Sequence, residues 1–169
     1  GAAFVSGNAI GKPEGFLSNS SVATVNSGAS AALTADGLIA LYHEPKAEYA
    51  QNGTFIFSRS TLAEIRKLKT SSNDYVFQAG NQLSGGMVST ILGAPYVQAT
   101  DMPAVGAGNK PIAFGDFRRG YMIVDRVNLA ILRDPFTQAT SGNVRYIARK
   151  RIGGQVILSE AIKTQTVSA

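Results

Sequence analysis

The chain has no cysteine, a single histidine and few charges, and each shortage closes a class of chemistry. Without cysteine there is no disulfide framework, no thiolate ligand for a metal and no thiol nucleophile, and the composition fits an intracellular origin. One histidine, His43, cannot by itself build a zinc site, and no run of Asp and Glu has the spacing of a calcium loop, so neither a metal nor a cofactor is expected. No apolar run reaches the ~18 residues of a membrane-spanning helix. The opening GAAFVSGNAIGK also lacks the charged-then-apolar order of a signal peptide. These absences predict a soluble chain with neither a membrane nor a small-molecule substrate as partner.

What is present suffices for a folded domain. At 169 residues and 17.7 kDa the chain can form one domain, or one plus a fragment, and bury roughly 70% of its unfolded surface. With 44% hydrophobic and 16% charged residues it carries too much apolar side chain to stay disordered over most of its length. Charge is placed unevenly. Between Phe117 and Arg151, the cations Arg118, Arg119, Arg126, Arg133, Arg145, Arg149, Lys150 and Arg151 stand against Asp125 and Asp134 alone, and the front half is acidic by comparison. Such a region can contact phosphates without sequence preference or meet an acidic patch on a neighbouring subunit, and its sign does not choose between them.

The order of elements follows from spacing. Residues up to about Ser30 are rich in Gly, Ser, Asn and Ala and read as loop, with one short strand over Ser21–Val25. Thr34 is a cap-type residue ahead of Ala35, Leu38, Ile39 and Tyr42, whose spacing predicts one face of a helix. Pro45 ends or kinks that helix before a second short helical piece over Lys46–Gln51. Asn52-Gly53 turns into a strand over Thr54–Ser58, whose run Phe55-Ile56-Phe57 predicts a central position covered on both faces. Thr61 and Glu64 form a capping box that opens a helix with Leu62, Ile65 and Leu68 inward. A loop rich in Ser, Asn, Gln and Gly over Thr70–Gly86, interrupted at Tyr75–Gln78, leads to a further strand, and Gly93-Ala94-Pro95 turns into Tyr96–Ala99.

Pro111–Asp134 then reads as a hairpin-like unit without catalytic residues. It has a strand over Ile112–Phe114, a turn over Gly115–Gly120, and one long strand, or two joined by a bend near Asn128, over Tyr121–Asp134. Val144–Ile152 is another strand, and Gly153-Gly154 marks a bulge or tight turn ahead of Val156–Leu158 and Ala161–Thr164. Helices in the middle, strands in the C-terminal third and a strand followed directly by a helix imply an α/β or α+β layer; the fold expected is α+β, with mixed helices packed on antiparallel-rich sheets.

No constellation of residues makes an active site. Gly7-Asn8-Ala9-Ile10-Gly11-Lys12-Pro13 has three residues between its glycines where a phosphate loop needs four, and Pro13 where that loop needs Ser or Thr, so it reads as a turn. Gly106-Ala107-Gly108 lacks the third glycine and the helix of a dinucleotide fingerprint. A hydrolase would need His43 as base for a serine, yet no Gly-x-Ser-x-Gly marks a nucleophile. At the end of its helix His43 caps carbonyls or faces solvent. Asp116 and Asp125 read as ion-pair partners of Arg118, Arg119 or Arg126 across the hairpin rather than as acid and base. Alternation places Arg145, Arg149 and Arg151 on one side of their strand, a solvated or subunit-facing edge with no aromatic stacking platform beside it.

Several segments taken in order resemble the C-terminal portion of the major capsid proteins of tailed bacteriophages and prophages, the family that shares the HK97 fold. Gly7-Asn8-Ala9-Ile10-Gly11-Lys12-Pro13-Glu14-Gly15 is similar to the Gly-rich segment after that family's long spine helix. Phe55-Ile56-Phe57-Ser58-Arg59 with Leu62–Lys69 is similar to its middle strand and helix. Leu92-Gly93-Ala94-Pro95-Tyr96-Val97, Phe114-Gly115-Asp116-Phe117, Asp125-Arg126 and Glu160-Ala161-Ile162-Lys163 continue the likeness, as does the run RKRIGGQVILSEAIK, over nearly the whole chain.

The resemblance implies an axial domain over residues 15–138, and part of a peripheral domain over residues 1–14 and 139–169. It also implies that the family's N-terminal arm, extended loop and spine helix have no counterpart here, which agrees with a first residue of Gly rather than Met. The function it implies is structural and not enzymatic. The expected role is a shell subunit that associates with itself into pentamers and hexamers around double-stranded DNA, bound without sequence preference, located in the virion and assembled in the bacterial host cytoplasm. Contact residues are expected in the loop Gln98–Lys110 (Asp101, Met102, Asn109, Lys110), the turn Asp116–Gly120 (Asp116, Arg118, Arg119) and the basic strand (Arg145, Arg149, Arg151). The rival reading is a nucleic-acid-binding module using the basic strands.

Overall fold

Phe55 and Phe114, fully buried with ring centroids 4.4 Å apart, mark the centre of the molecule. The computed structural model describes residues 1–69, 73–75 and 90–168. Its elements run α1 (Ala2–Ser6), β1 (Thr24–Ser30), α2 (Ala35–His43), α3 (Ala47–Ala50), β2 (Thr54–Phe57), α4 (Arg59–Arg66), β3 (Thr90–Ile91) and β4 (Ala94–Gln98). There follow β5 (Ile112–Gly115), α5 (Phe117–Gly120), β6 (Tyr121–Asp134), β7 (Arg145–Val156) and β8 (Ile162–Ser168), with short 3-10 turns at Ala139–Ser141 and Ser159–Ala161. Among the described residues these strands form a six-stranded sheet in the order β1-β8-β5-β2-β4-β3 and a separate two-stranded ribbon of β6 and β7. The six-stranded sheet is mixed: β1 with β8 and β2 with β4 are parallel, and β5 runs antiparallel to both β2 and β8.

Two cores lie on opposite faces of that sheet because side chains alternate along each strand. Ile112 and Phe114 face one core and Ala113 the other; Phe55 and Phe57 share the first core with Leu38 and Leu41 of α2 and with Leu62 and Ile65 of α4. The second core gathers Val5, Phe16, Val22, Met102, Val156 and Ile162, so the first residues of the chain are packed under the body. Burial of these side chains at roughly 25 cal/mol per Å² of apolar surface is the main force holding the layers together.

The helix starts are explained by their caps. Thr34 Oγ1 accepts from Gly37 N at 3.0 Å and donates to Ser27 O, which pins the start of α2 onto β1. Gly37 is required there, since a Cβ would lie 2.4 Å from Ser27 O. The close approach turns the face of Gly37, Leu38 and Leu41 inward and leaves Ile39 exposed, whereas the apolar spacing had put Ile39 inside. The capping box also shifts. Helix α4 begins two residues before Thr61, with Ser58 as its cap accepting from Thr61 N at 3.4 Å, and Glu64 pairs with Lys67 at 2.9 Å instead of reaching back.

Other expectations move for reasons of pairing. The first strand is Thr24–Ser30, not Ser21–Val25, because its pairing with β8 starts at Thr24 opposite Thr164, while Ser21 N is held by Asn19 Oδ1 at 2.7 Å in a turn. The hairpin expected over Pro111–Asp134 does not form: β5 is an interior strand of the sheet, α5 carries the chain out of it, and β6 pairs with β7. β6 is continuous over its 14 residues, with register shifts between Asp125 and Val127 and between Val127 and Ala130. Gly153 and Gly154 are neither bulge nor turn but ladder residues opposite Val124 and Ile123; a Cβ on Gly154 would lie 2.6 Å from the Tyr121 hydroxyl and 2.9 Å from the Phe4 ring. The loop expected over Thr70–Gly86, with its interruption at Tyr75–Gln78 and most of the strand after it, lies for the most part outside the described residues.

Candidate subunit-contact surfaces

A two-stranded ribbon is marginal in water by itself, and among the described residues this one is fixed only at its root. There Ile157 N donates to Gly120 O at 2.9 Å and Glu14 N donates to Gly154 O at 2.9 Å. Tyr121 packs edge-on against Phe4 with centroids 6.2 Å apart and donates its hydroxyl to Glu14 O; burial, with the Glu14 charge adding to it, raises the phenol above its ordinary range. Beyond the root, Leu129, Ile131, Leu132 and Tyr146 are 59%, 63%, 59% and 65% exposed. Side by side on one ribbon, large apolar residues at that exposure are the mark of an interaction surface.

The ribbon also concentrates positive charge. Lys150 pairs with Asp125 across the two strands at 3.1 Å, the one cross-strand ion pair among the described residues, in place of the Asp125–Arg126 pairing expected from sequence. Asp134 is committed to the turn after β6. Its side chain accepts from the Thr137 hydroxyl, from Phe136 N at 2.9 Å and from Thr137 N at 3.1 Å, and these bonds hold its carboxyl below the usual range, with the Arg145 charge adding a smaller push. Arg126, Arg133, Arg149 and Arg151 have no carboxylate within 4.0 Å among the described residues. Arg145, Arg149 and Arg151 are all exposed, and Tyr146, also exposed, lies on the opposite face of the strand beside Arg133.

The other expected contact residues divide between surface and scaffold. Asp101, Asn109, Arg118 and Arg119 are exposed. Met102 is not at the surface: it is 4% exposed and anchors the loop after β4 in the second core. Asp116 is likewise buried, its Oδ1 accepting from Arg118 N at 3.1 Å and Arg119 N at 3.2 Å as the cap of α5, with Arg119 Nε 3.6 Å from its Oδ2. This ion pair is local to α5 and does not cross a hairpin. Lys110 donates to Leu17 O at 3.2 Å, and Asn109 O and Gly108 N bond Val167, which ties the loop to β8. Sequence reasoning missed the apolar part of the surface, although the run Ile123 to Leu132 carried the signal: its alternation has hydrophobic residues in both phases, which predicts two faces in need of cover.

His43 is exposed at the end of α2 and rests edge-on against the Tyr42 ring. Among the described residues no group of three or more His, Cys, Asp or Glu could hold a metal ion, and no helix is long and apolar enough to cross a membrane.

Comparison with known proteins places this geometry. The profile of the phage capsid family matches residues 1–167. Among solved structures, the capsid of the empty GTA particle computed with C5 symmetry is 33% identical at a TM-score of 0.84, covering 99% of this chain and 60% of that one. The capsid of the native GTA particle computed with C5 symmetry is 32% identical at 0.85, with the same coverage. The holo-SrpI encapsulin complex from Synechococcus elongatus PCC 7942, at 18% identity and a TM-score of 0.63, covers 98% of this chain and 59% of that one and shares the fold. The chain thus spans about three-fifths of the length of these solved relatives. No curated protein matches the sequence.

Proposed function

The chain belongs to the phage capsid family, with the HK97-like α+β fold of its solved neighbours, and from that membership we propose that it serves as a subunit of a self-assembling icosahedral shell. The observation that carries this reading is the ribbon. Its apolar residues are left uncovered by the rest of the described chain, and a closed shell supplies cover to every copy at once. Each contact can be weak, because closure multiplies contacts through effective concentration. In this reading copies gather into pentamers and hexamers, enclose double-stranded DNA held without sequence preference, and end in the virion after assembly in the host cytoplasm. The role is structural rather than enzymatic.

The domain boundary we propose departs from the one the resemblance implies. The axial part comprises β1 to β5 with their helices together with β8, and the peripheral part comprises residues 1–14 and the ribbon. Two observations support this division: β8 pairs with β1 and β5 inside the six-stranded sheet, and Glu14 and Phe4 are held against the ribbon root.

Electron microscopy of the full-length gene product tests the function. We expect closed shells or isolated capsomers; a full-length protein that stays strictly monomeric and binds DNA with a steep salt dependence overturns the proposal. For the 169-residue chain alone, light scattering is expected to show monomers or loose small rings.

A further inference from the structure

Positive charge and negative charge are sorted onto different parts of this chain. The stretch from Phe117 to Arg151 holds eight cations against two carboxylates, whereas the remainder holds eight cations against nine carboxylates, so the whole net charge of +5 comes from the ribbon and its approach. Beside the ribbon root runs a groove lined by Gly11, Val124, Arg126, Lys150, Arg151 and Ile152. Lys150 is already paired with Asp125, which leaves Arg126 and Arg151, joined on the same face of β7 by Arg149, with the exposed side chain of Val124 beside them. Val124 is 51% exposed. A partner for this flank needs carboxylates set around an apolar side chain.

The chain carries such a surface elsewhere. On α2, Asp36, Ile39, Ala40, His43 and Glu44 recur at three- and four-residue spacing on the face turned to solvent, and Glu48 follows on α3. Ile39 is 44% exposed, and Asp36, Glu44 and Glu48 have no cation within 4.0 Å among the described residues. We propose that the flank of the ribbon at Arg126, Arg149 and Arg151 docks on the outward face of α2 and α3 of a second copy of this chain, pairing guanidiniums with Glu44, Glu48 and Asp36 around Ile39.

The inference rests on the shell reading and names the partner surface within it. Because the two patches differ, the contact is heterologous, and repeated application of one such contact builds rings. A nucleic acid fits less well: phosphates would answer the arginines but leave Val124 without apolar cover. Arginine is also the cation best suited to an interface, since its planar fork takes a carboxylate through two parallel bonds.

A charge swap tests the pairing in the full-length gene product, with circular dichroism and thermal melting as the check on folding. R149E/R151E alone and E44K/E48K alone are each expected to lower the fraction of protein in shells or capsomers by about tenfold or more, since like charges brought together at an interface cost several kcal/mol. The combined four-residue variant should recover assembly to within about threefold of the original, because the attraction is restored with its sign reversed. If either pair of reversals leaves assembly unchanged, or if both folded pairs impair it and the combination recovers nothing, the proposed pairing is wrong. Loss of retained DNA in R149E/R151E shells that assemble normally would overturn it in favour of a polyanion site. Failure of the unmodified full-length protein to assemble at all would instead sink the shell reading beneath it.

Discussion

In the six-stranded sheet Phe55, Phe57 and Phe114 are fully buried, whereas in the ribbon Leu129, Ile131 and Leu132 are more than half exposed. Both regions are built from apolar strands, so hydrophobicity alone does not separate them. Layering does. Each interior strand of the body lies between a helical layer on one face and the second core on the other, while the ribbon beyond its root at Tyr121 and Val156 has neither among the described residues. Apolar residues stabilise a fold only when something covers them, and where the same chain does not, another molecule or another segment must. The body therefore reads as the part that folds, and the ribbon as the part that waits for a neighbour.

That contrast is broken most directly by truncating one large side chain in each region. Phe114→Ala removes the ring at the centre of the Phe55 and Tyr42 stack and is expected to cost about 3–5 kcal/mol in chemical denaturation. Leu132→Ala in the ribbon should change the stability of the isolated chain by no more than about 0.5 kcal/mol while impairing assembly of the full-length protein. Equal losses in the two would mean that the ribbon is part of the folded core after all. The joint between the regions comes next. Gly115 sits at φ 150°, and a Cβ there would lie 2.0 Å from Ala161 O, so Gly115→Ala is expected to cost about 2–3 kcal/mol, read from the denaturation midpoint.

Smaller effects sharpen the comparison. Asp116→Ala removes the cap of α5 where the chain leaves the body for the ribbon and should cost about 1–2 kcal/mol; an unchanged melting curve would show that the turn is held by its neighbours instead. Gln165 is fully buried in β8, and its side-chain oxygen and nitrogen have no hydrogen-bond partner among the described residues, so Gln165→Met should stabilise the body by about 1 kcal/mol, and a lower melting temperature would contradict this.

The smallest effect is expected at Glu160. Hydrogen bonds from Lys46 at 2.7 Å and Tyr49 at 3.2 Å hold its carboxyl below the usual range. A depressed folded-state value means that the clasp contributes fully above the ordinary Glu range and is lost as pH falls through it. Glu160→Gln should therefore flatten the acid limb of the stability profile slightly and leave neutral pH nearly unchanged.

Local features of the fold were legible in the sequence, and long-range pairing was not. The cap at Thr34, the break at Pro45 and the strand-then-helix from Thr54 to Arg66 follow from residues within a few positions of one another. Period-two alternation announces a strand without naming its partner, so Ile112–Phe114 and Tyr121–Asp134 read as one hairpin although they belong to different sheets. Gly153-Gly154 misled for a related reason: its glycines answer to the Phe4 ring and the Tyr121 hydroxyl, contacts that no nearby residue betrays. Among the expected contact residues, the exposure of the β7 arginines was readable because alternation keeps a charged row in solvent. Met102, Asp116 and Lys110 were not, because a loop residue that anchors its loop looks, in sequence, like one that displays it.

The place of β8 in the sheet bears on the timing of synthesis. β1 and β5 are both hydrogen-bonded to β8 and not to each other, so, among the described residues, residues 24–30 have no sheet partner until residues 162–168 have been made. A ribosome-bound chain stopped short of Ile162 therefore holds an open sheet with a gap between β1 and β5, and the body closes only after the whole ribbon has left the ribosome. The exposed apolar ribbon is thus synthesised before the last strand that closes the body carrying it.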